Sequence, residues 1–492
     1  MQYYPPMSRK RFDTMKQFRG IATTEKFTTN EDYASVAINL DADLFPAMKT
    51  RAKRMRLATN MPTTPNGIQG LFRYKATYSG ASSEQKSDEI IAINGARIFK
   101  YDSENNSWIT LYEFPGVSIN SNLPIAKDDW TATLFNVSGL PNMMFSNGAS
   151  PLLFRYNGTS VTSFDPNIDE GFQFPKYITA HENRLFAAVG NTIRASAFGI
   201  YNEWNTPEET SVIVTELTDG ETINGLHKGQ ERLLVFKPNH MYELFGVDIF
   251  DFRLVKVSEG IGVINDKCIA DLNGVTYFLH TTGVYEYTGG RPRRISDIVK
   301  GYFDKLTKSR HNDCFVGTDG TRLFVNLGVQ SNGNDSMLVW HSVYNVWYEW
   351  NGIYARCMLS GQDISLFGGK NSQVYGMNLP FGLNDEQSVS FTWISQPMNT
   401  GILAQRLRMS RAWITNDLTG TFHVYISKKP TGDSPSDWTE IKMVNGAGLQ
   451  NAKTVIRTLI ESNAKSIRLK IQGAGECTIH EIVRELKGFP IV

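Results

Sequence analysis

From about residue 65 to about 387, short β-branched and aromatic runs alternate with Gly, Asn and Asp turns. That pattern belongs to a sheet protein built from many short strands. One unit recurs. Its first clear copy is Ile90-Ile91-Ala92-Ile93, the turn Asn94-Gly95, Ala96 to Asp102, and then Ser107-Trp108-Ile109-Thr110-Leu111. A later copy runs Leu323-Phe324-Val325-Asn326, Met337-Leu338-Val339-Trp340-His341 and Val346-Trp347-Tyr348. In both, an aromatic is followed seven residues later by Trp (Tyr101 to Trp108, Trp340 to Trp347), a spacing that predicts a tight hairpin between two outer strands. Weaker copies surround Leu152–Tyr156, Arg184–Val189, Leu233–Phe245, Val275–Tyr287 and Ile364–Gly376. Together they make about seven units of about 45 residues, the period of a propeller blade. A single blade cannot bury its apolar inner strand, so closure of a ring supplies the neighbour. The pattern therefore predicts an all-β chain with a β-propeller of about seven irregular blades over residues 65–387.

Three stretches depart from this rhythm. Ile295, Ile298, Val299, Tyr302, Phe303 and Leu306 fall at helical spacing, with Ser296 or Asp297 as cap, which predicts a short amphipathic helix against the ring. Residues 388–492 alternate strictly, as in Phe422, Val424, Ile426 and Ile467, Leu469, Ile471. That is the half-buried antiparallel pattern, and it predicts a small C-terminal β-sandwich. The first 64 residues fit neither part and are expected to form an irregular N-terminal arm. They carry two basic clusters, Arg9, Lys10, Arg11 and Lys49, Arg51, Lys53, Arg54, Arg56. These suit either an arm that docks on a neighbouring protein or an irregular first strand that closes the ring.

Composition narrows the class without naming a function. Fifty Lys+Arg against 49 Asp+Glu leave a net charge of +1, which excludes a histone-like polycation and an acidic tail. The 492 residues are 41% hydrophobic, too apolar for a disordered chain. Cys268, Cys314, Cys357 and Cys477 stand far apart, which fits buried thiols in a reducing compartment better than disulfides or zinc. The N-terminus has no apolar core after its basic residues, and no stretch approaches the ~18 apolar residues of a membrane helix. The expectation is a protein made in a cytoplasm, without membrane insertion.

Motifs for chemistry are sparse. The eight histidines show no paired metal-ligand spacing, and no G-x-S-x-G elbow or Walker lysine occurs. Gly260-Ile261-Gly262 has Asn265 where a dinucleotide loop needs its third Gly. A glycosidase-like carboxylate pair assembled across blades would leave no local mark. No catalytic, cofactor-binding or metal residue is assigned. Trp108, Trp204, Trp340, Trp347, Trp350 and Trp393 sit mostly at strand ends and read as packing residues rather than a sugar or base platform.

A longer ordered block runs from Glu221 to Val299. It comprises Ile223-Asn224-Gly225-Leu226, Leu233-Leu234-Val235-Phe236, Met241-Tyr242-Glu243-Leu244-Phe245 and Gly260-Ile261-Gly262-Val263. Then follow Tyr277-Phe278-Leu279, Gly283-Val284-Tyr285 and Arg294-Ile295-Ser296-Asp297-Ile298-Val299. With Glu182-Asn183-Arg184-Leu185-Phe186-Ala187, Arg194-Ala195-Ser196 and Glu203-Trp204-Asn205, this block resembles the β-propeller proteins of phage tails. Its nearest likeness is to the packaged-DNA stabilisation proteins, the tail hub or nozzle proteins of short-tailed phages. The resemblance covers the order and spacing of most of residues 65–490 and departs at the basic N-terminus. It implies a structural virion protein, not an enzyme, assembled in the host cytoplasm. Six copies would ring below the portal and adaptor, retain packaged double-stranded DNA and conduct it at ejection without reading its sequence. A near-neutral composition suits such a conduit, because every phosphate contact adds salt-dependent affinity. Two other roles fit a propeller of this kind, a baseplate or host-contact tail component and a glycan-degrading enzyme.

Overall fold

The computed structural model describes residues 10–24, 31–79, 84–166, 174–329, 335–377, 379, 382–398, 405–431, 434–446, 449–457 and 464–490. Seven successive stretches, 68–113, 131–164, 177–214, 225–259, 269–294, 315–350 and 355–377, each fold as an antiparallel meander. We call them sheets one to seven. The first strands of sheets one to four, Ile68–Ser79, Thr131–Val137, Tyr177–His181 and Gly225–Lys228, are inner strands packed side by side. Ile269–Leu272, Phe315–Thr318 and Ala355–Leu359 continue the series, and Ala355–Leu359 returns to Ile68–Ser79. The result is an all-β, propeller-like ring.

Alternation explains why the apolar runs close this ring. In the four-residue strand Leu233–Phe236 every side chain is buried. Successive side chains point to opposite faces. Leu233 and Val235 join Phe186 and Ile193 of sheet three, whereas Leu234 and Phe236 join Phe278 and Leu279 of sheet five. Likewise Ile91 and Ile93 meet Met143 and Phe145 of sheet two, while Ile90 and Ala92 meet Leu366 and Val374 of sheet seven. Each side chain buried in this way contributes about 1.5–3 kcal/mol. The seven-residue aromatic spacing is the hairpin that the pattern predicts. Tyr101 lies opposite Trp108 with ring centroids 5.4 Å apart, and Trp340 opposite Trp347 at 6.1 Å. All six tryptophans read as packing residues are buried.

The expected helix is only a few residues long. A 3-10 turn over Asp297–Val299 leads into Lys300–Phe303, anchored by buried Val299 and Phe303. Neither candidate cap functions as one. The Ser296 hydroxyl accepts the Val284 N–H at 2.9 Å, tying the turn to sheet five instead.

The first 64 residues are spread over three sheets. Arg54–Arg56 pairs with Val374–Met377 and supplies the fourth strand of sheet seven. Ala34–Ile38 sits between Val346–Trp350 of sheet six and Ser390–Ser395, so sheet six continues into Arg468–Ala474, Thr421–Ser427 and Thr439–Asn445. Lys10–Met15, Leu40–Asp41 and Met48–Thr50 join Gln405–Leu418, Leu449–Arg457 and Cys477–Pro490 in a further sheet. The two C-terminal sheets share one core, with Met409, Ala412 and Ile414 against Val424, Leu469 and Ile471. That core runs on without a break into sheets four to six.

Candidate functional site

A four-stranded antiparallel meander ends on the face where it began, so every inner strand starts at the same end of the ring. Residues at those starts converge on one mouth of the central channel, although the chain separates them widely. The channel holds a cavity of about 320 Å³, lined by residues from all seven inner strands or the turns before them.

At this mouth Asp129, just ahead of Thr131–Val137, receives two cations. Lys267 Nζ lies 2.6 Å from one carboxylate oxygen and Arg356 Nη2 lies 2.9 Å from the other. Lys267 also donates to the Asn312 carbonyl at 2.8 Å, and Arg356 donates to the carbonyls of Asn66 and Lys127. All three side chains are at most 17% exposed, so the ion pairs are shielded from solvent. Asp266, at the start of the turn before Ile269–Leu272, is pushed up to about 6, chiefly by burial and then by the negative charge of Asp129. Burial likewise holds the Tyr177 phenol well above its ordinary range. Farther along the channel His227 Nε2 lies 2.9 Å from Asp271 Oδ2, and the Thr276 hydroxyl donates to Oδ1 at 2.7 Å. Burial works to raise the Asp271 carboxyl, but these two partners outweigh it and hold it low. Asp129 and Asp266 thus balance Lys267 and Arg356. Lys228 and His227 line the cavity beside Asp266 and Lys267.

A second ionic cluster joins the segment that leads into sheet four to the turn between Leu233–Phe236 and His240–Phe245. Among the described residues, Asp219, Glu221 and His240 are the group whose potential metal-ligand atoms converge. His240 Nδ1 is 3.0 Å from Glu221 and 3.5 Å from Asp219. The fully buried Lys237 ammonium already occupies this position, donating to both Asp219 oxygens at 2.7 and 3.0 Å. Burial acts to raise the Asp219 carboxyl, yet the Lys237 hydrogen bond and the Glu221 N–H more than compensate and lower it. The cluster is therefore a structural site in which the Lys237 ammonium is the cation held by Asp219.

The basic residues of the first 64 take several places. Arg9 lies outside the described residues. Lys10 and Arg11 belong to the strand Lys10–Met15, with Arg11 exposed. Lys49 is exposed in Met48–Thr50, and Lys53 and Arg56 are half-buried. Arg51 is buried. Its guanidinium donates to both Glu386 oxygens at 2.8 Å, to Asn39 Oδ1 at 3.0 Å and to the Asn351 carbonyl at 3.1 Å. Arg54 pairs with Asp385 and stacks over the Tyr375 ring at 4.5 Å. The clusters are thus divided between solvent-facing and internally paired residues. The channel residues Asp129, Asp266, Lys267 and Arg356 carry no motif. Their only sequence mark is a charged pair or singlet next to an apolar inner strand.

No protein-family model matches the chain, and no curated protein matches it. Among solved structures, the extracellular domain of BT4673 from B. thetaiotaomicron is 10% identical with a TM-score of 0.43, over 86% of this chain and 59% of that one. YCF48 bound to a D1 peptide is 9% identical with a TM-score of 0.39, over 67% of this chain and 95% of that one. The chain spans about three-fifths of the BT4673 domain it matches.

Proposed function

We propose that this protein is a structural component of a phage tail. In this reading it is one subunit of a ring, the hub or nozzle below portal and adaptor, that retains packaged DNA and conducts it during ejection. The observation that carries the reading is the ordered block Glu221–Val299. Its motifs fall on one continuous piece of the fold, all of sheets four and five and the turn that follows. Ile223-Asn224-Gly225-Leu226 opens the inner strand of sheet four, and Gly260-Ile261-Gly262-Val263 crosses to sheet five. The Gly262 Cα faces the Lys237 carbonyl so closely that any Cβ would clash. Asp297-Ile298-Val299 closes the block with its helical turn. The two C-terminal sheets with their shared core are, in this reading, the sandwich that follows the propeller.

We read the protein as non-enzymatic. Asp129 at the channel mouth lies between two cations, Lys267 and Arg356, which suits a structural ion pair better than a nucleophile or base. A host-contact role lower in the tail draws support from one observation. Phe198, Val247 and Phe250 are 62, 63 and 79% exposed around Arg184, whose guanidinium lies 5.7 Å from the Phe198 ring and 3.6 Å from Asp248. A head-to-tail ring contact would bury the same residues.

Sedimentation of the purified protein with cryo-imaging of particles tests the proposal. The expected outcome is a closed ring of several 55.3 kDa chains, six by the resemblance, seated below a portal with DNA density through its axis. A stable monomer absent from virions would overturn it, and a ring at the distal tail tip without DNA would favour host contact.

A further inference from the structure

A cavity of about 470 Å³ lies away from the channel, where the helical turn after sheet five and the strands of sheet six meet the C-terminal sheets. Four charged side chains line it, Lys305, Arg310, Arg468 and Glu349. The two Glu349 oxygens accept the Tyr302 hydroxyl at 2.7 Å and the Ser336 hydroxyl at 2.9 Å. Both donors are wall residues, which sets the carboxyl at the cavity surface. Burial pushes this carboxyl up, and the two hydrogen bonds and the Lys305 charge oppose the shift without reversing it. Asp335, the neighbouring acid, is not on the wall and is taken up by the N–H groups of Gly352, Ile353 and Tyr354. Arg468 is buried and donates to the Thr431 carbonyl and the Ser35 hydroxyl, again two wall residues. Lys305 is exposed and Arg310 half-buried, and among the described residues neither has a carboxylate within ion-pair distance.

Three cations thus share one concave wall with a single acid, an excess of two positive charges when Glu349 is ionised. An anion held there gains charge-assisted hydrogen bonds from ammonium and guanidinium groups. A phosphate monoester, with about two negative charges at neutral pH, matches that excess. The volume falls within the range of small-molecule sites, about 300–1,000 Å³, and leaves room for an organic body beyond the phosphate. Val36, Leu327, Pro397 and Pro430 give that body an apolar wall. Each Glu349 oxygen can accept a second hydrogen bond, so the carboxyl is an acceptor for a ligand hydroxyl. Phosphate and hydroxyls on one small carbon frame describe a sugar phosphate. We infer that this cavity is a binding site for a sugar phosphate, with Lys305 and Arg310 on the phosphate and Glu349 on a hydroxyl. The site lies inside a single chain and does not depend on ring assembly or on the phage reading.

The test is isothermal titration calorimetry of the full chain with ribose-5-phosphate, inorganic phosphate and ribose. The expected result is binding of the ester, with inorganic phosphate weaker by about tenfold or more and ribose giving no heat at the same concentration. Lys305→Gln and Arg310→Gln should each weaken the ester by about tenfold, the loss of one charged hydrogen-bond donor. Lys308→Gln, exposed on the same segment but not on the wall, should leave binding unchanged. A wild-type chain that takes up no ribose-5-phosphate at millimolar concentration overturns the inference, whatever the variants do. So does ester binding that survives the Lys305→Gln, Arg310→Gln double substitution. Equal affinity for phosphate and ester would leave an adventitious ion only and overturn the assignment to a sugar phosphate.

Discussion

At the scale of single residues, Lys237 shows how charge is buried here. Its side chain has no exposure, and its ammonium holds Asp219 while His240 bridges to Glu221. Removing one partner of a buried pair strands the other charge, at a cost of about 3–5 kcal/mol when fully enclosed. The Glu221 side is partly open to water, so Lys237→Met is expected to cost about 3 kcal/mol, read from urea midpoints. His280 responds to pH in the opposite sense from a paired histidine. Burial pushes its imidazole down to about 4, with Nδ1 2.8 Å from the Thr282 hydroxyl. An unfolded histidine titrates near 6.5, so between about 6.5 and 4 the unfolded chain binds the extra proton. Stability contributed by neutral His280 is therefore complete above about 6.5 and lost as pH falls toward 4. His280→Gln should flatten that part of the stability–pH curve, and an unchanged slope would refute the assignment. Some residue-level features were legible in the sequence. Isolated cysteines and strand-end tryptophans lie in the core, as their types favour. The channel cluster was not, because Asp129, Lys267 and Arg356 come from sheets two, five and seven and meet only when the ring closes.

At the scale of elements, the strand Arg54–Arg56 decides how the ring is fastened. It pairs with Tyr375, Gly376 and Met377 on one edge and with Leu383 and Asn384 on the other. Arg51 and Arg54 clamp it to Glu386 and Asp385. Arg51 is desolvated and has five hydrogen bonds, so Arg51→Met should cost about 3–5 kcal/mol. Lys49→Met, two residues earlier but exposed, should change stability by no more than about 0.5 kcal/mol. Equal effects in thermal melts would contradict this division of the basic cluster. Hairpins such as Tyr101–Trp108 were readable because both halves of the signal lie within eight residues. The closing strand could be listed only as one of two possibilities, since its partners lie more than 300 residues away and no local spacing encodes them. The helix shrank to a few residues for a related reason: the hydroxyl that could have capped it is committed to Val284 in the sheet behind.

At the scale of the whole molecule, the N-terminal segment stitches ring and C-terminal sheets into one body. The Tyr348 hydroxyl donates to the Phe18 carbonyl at 3.1 Å, and the Trp350 indole donates to the Leu40 carbonyl at 2.8 Å. Gln396 donates to the carbonyls of Ala22 and Ala34, and Arg484 pairs with Asp13 and Glu31. Met15, Phe18, Ile21, Ala37, Leu40 and Met48 fill the same core as Phe391, Trp393 and Ile482. The repeat period reveals the ring, because each blade repeats the same local demand for a neighbour. It says nothing of this stitching, which occurs once and joins residues hundreds of positions apart. A fragment of residues 388–492 would keep the alternating strands yet lose the segment that covers their inner faces. Expressed alone, it should therefore remain soluble only as a molten species, with poor amide dispersion and strong dye binding. The full chain should lose tryptophan fluorescence and β circular dichroism in one coincident urea transition, since no boundary in the core separates the parts. A well-dispersed spectrum from the fragment, or two resolved transitions in the full chain, would show that the C-terminal sheets stand on their own and that the N-terminal strands merely decorate them.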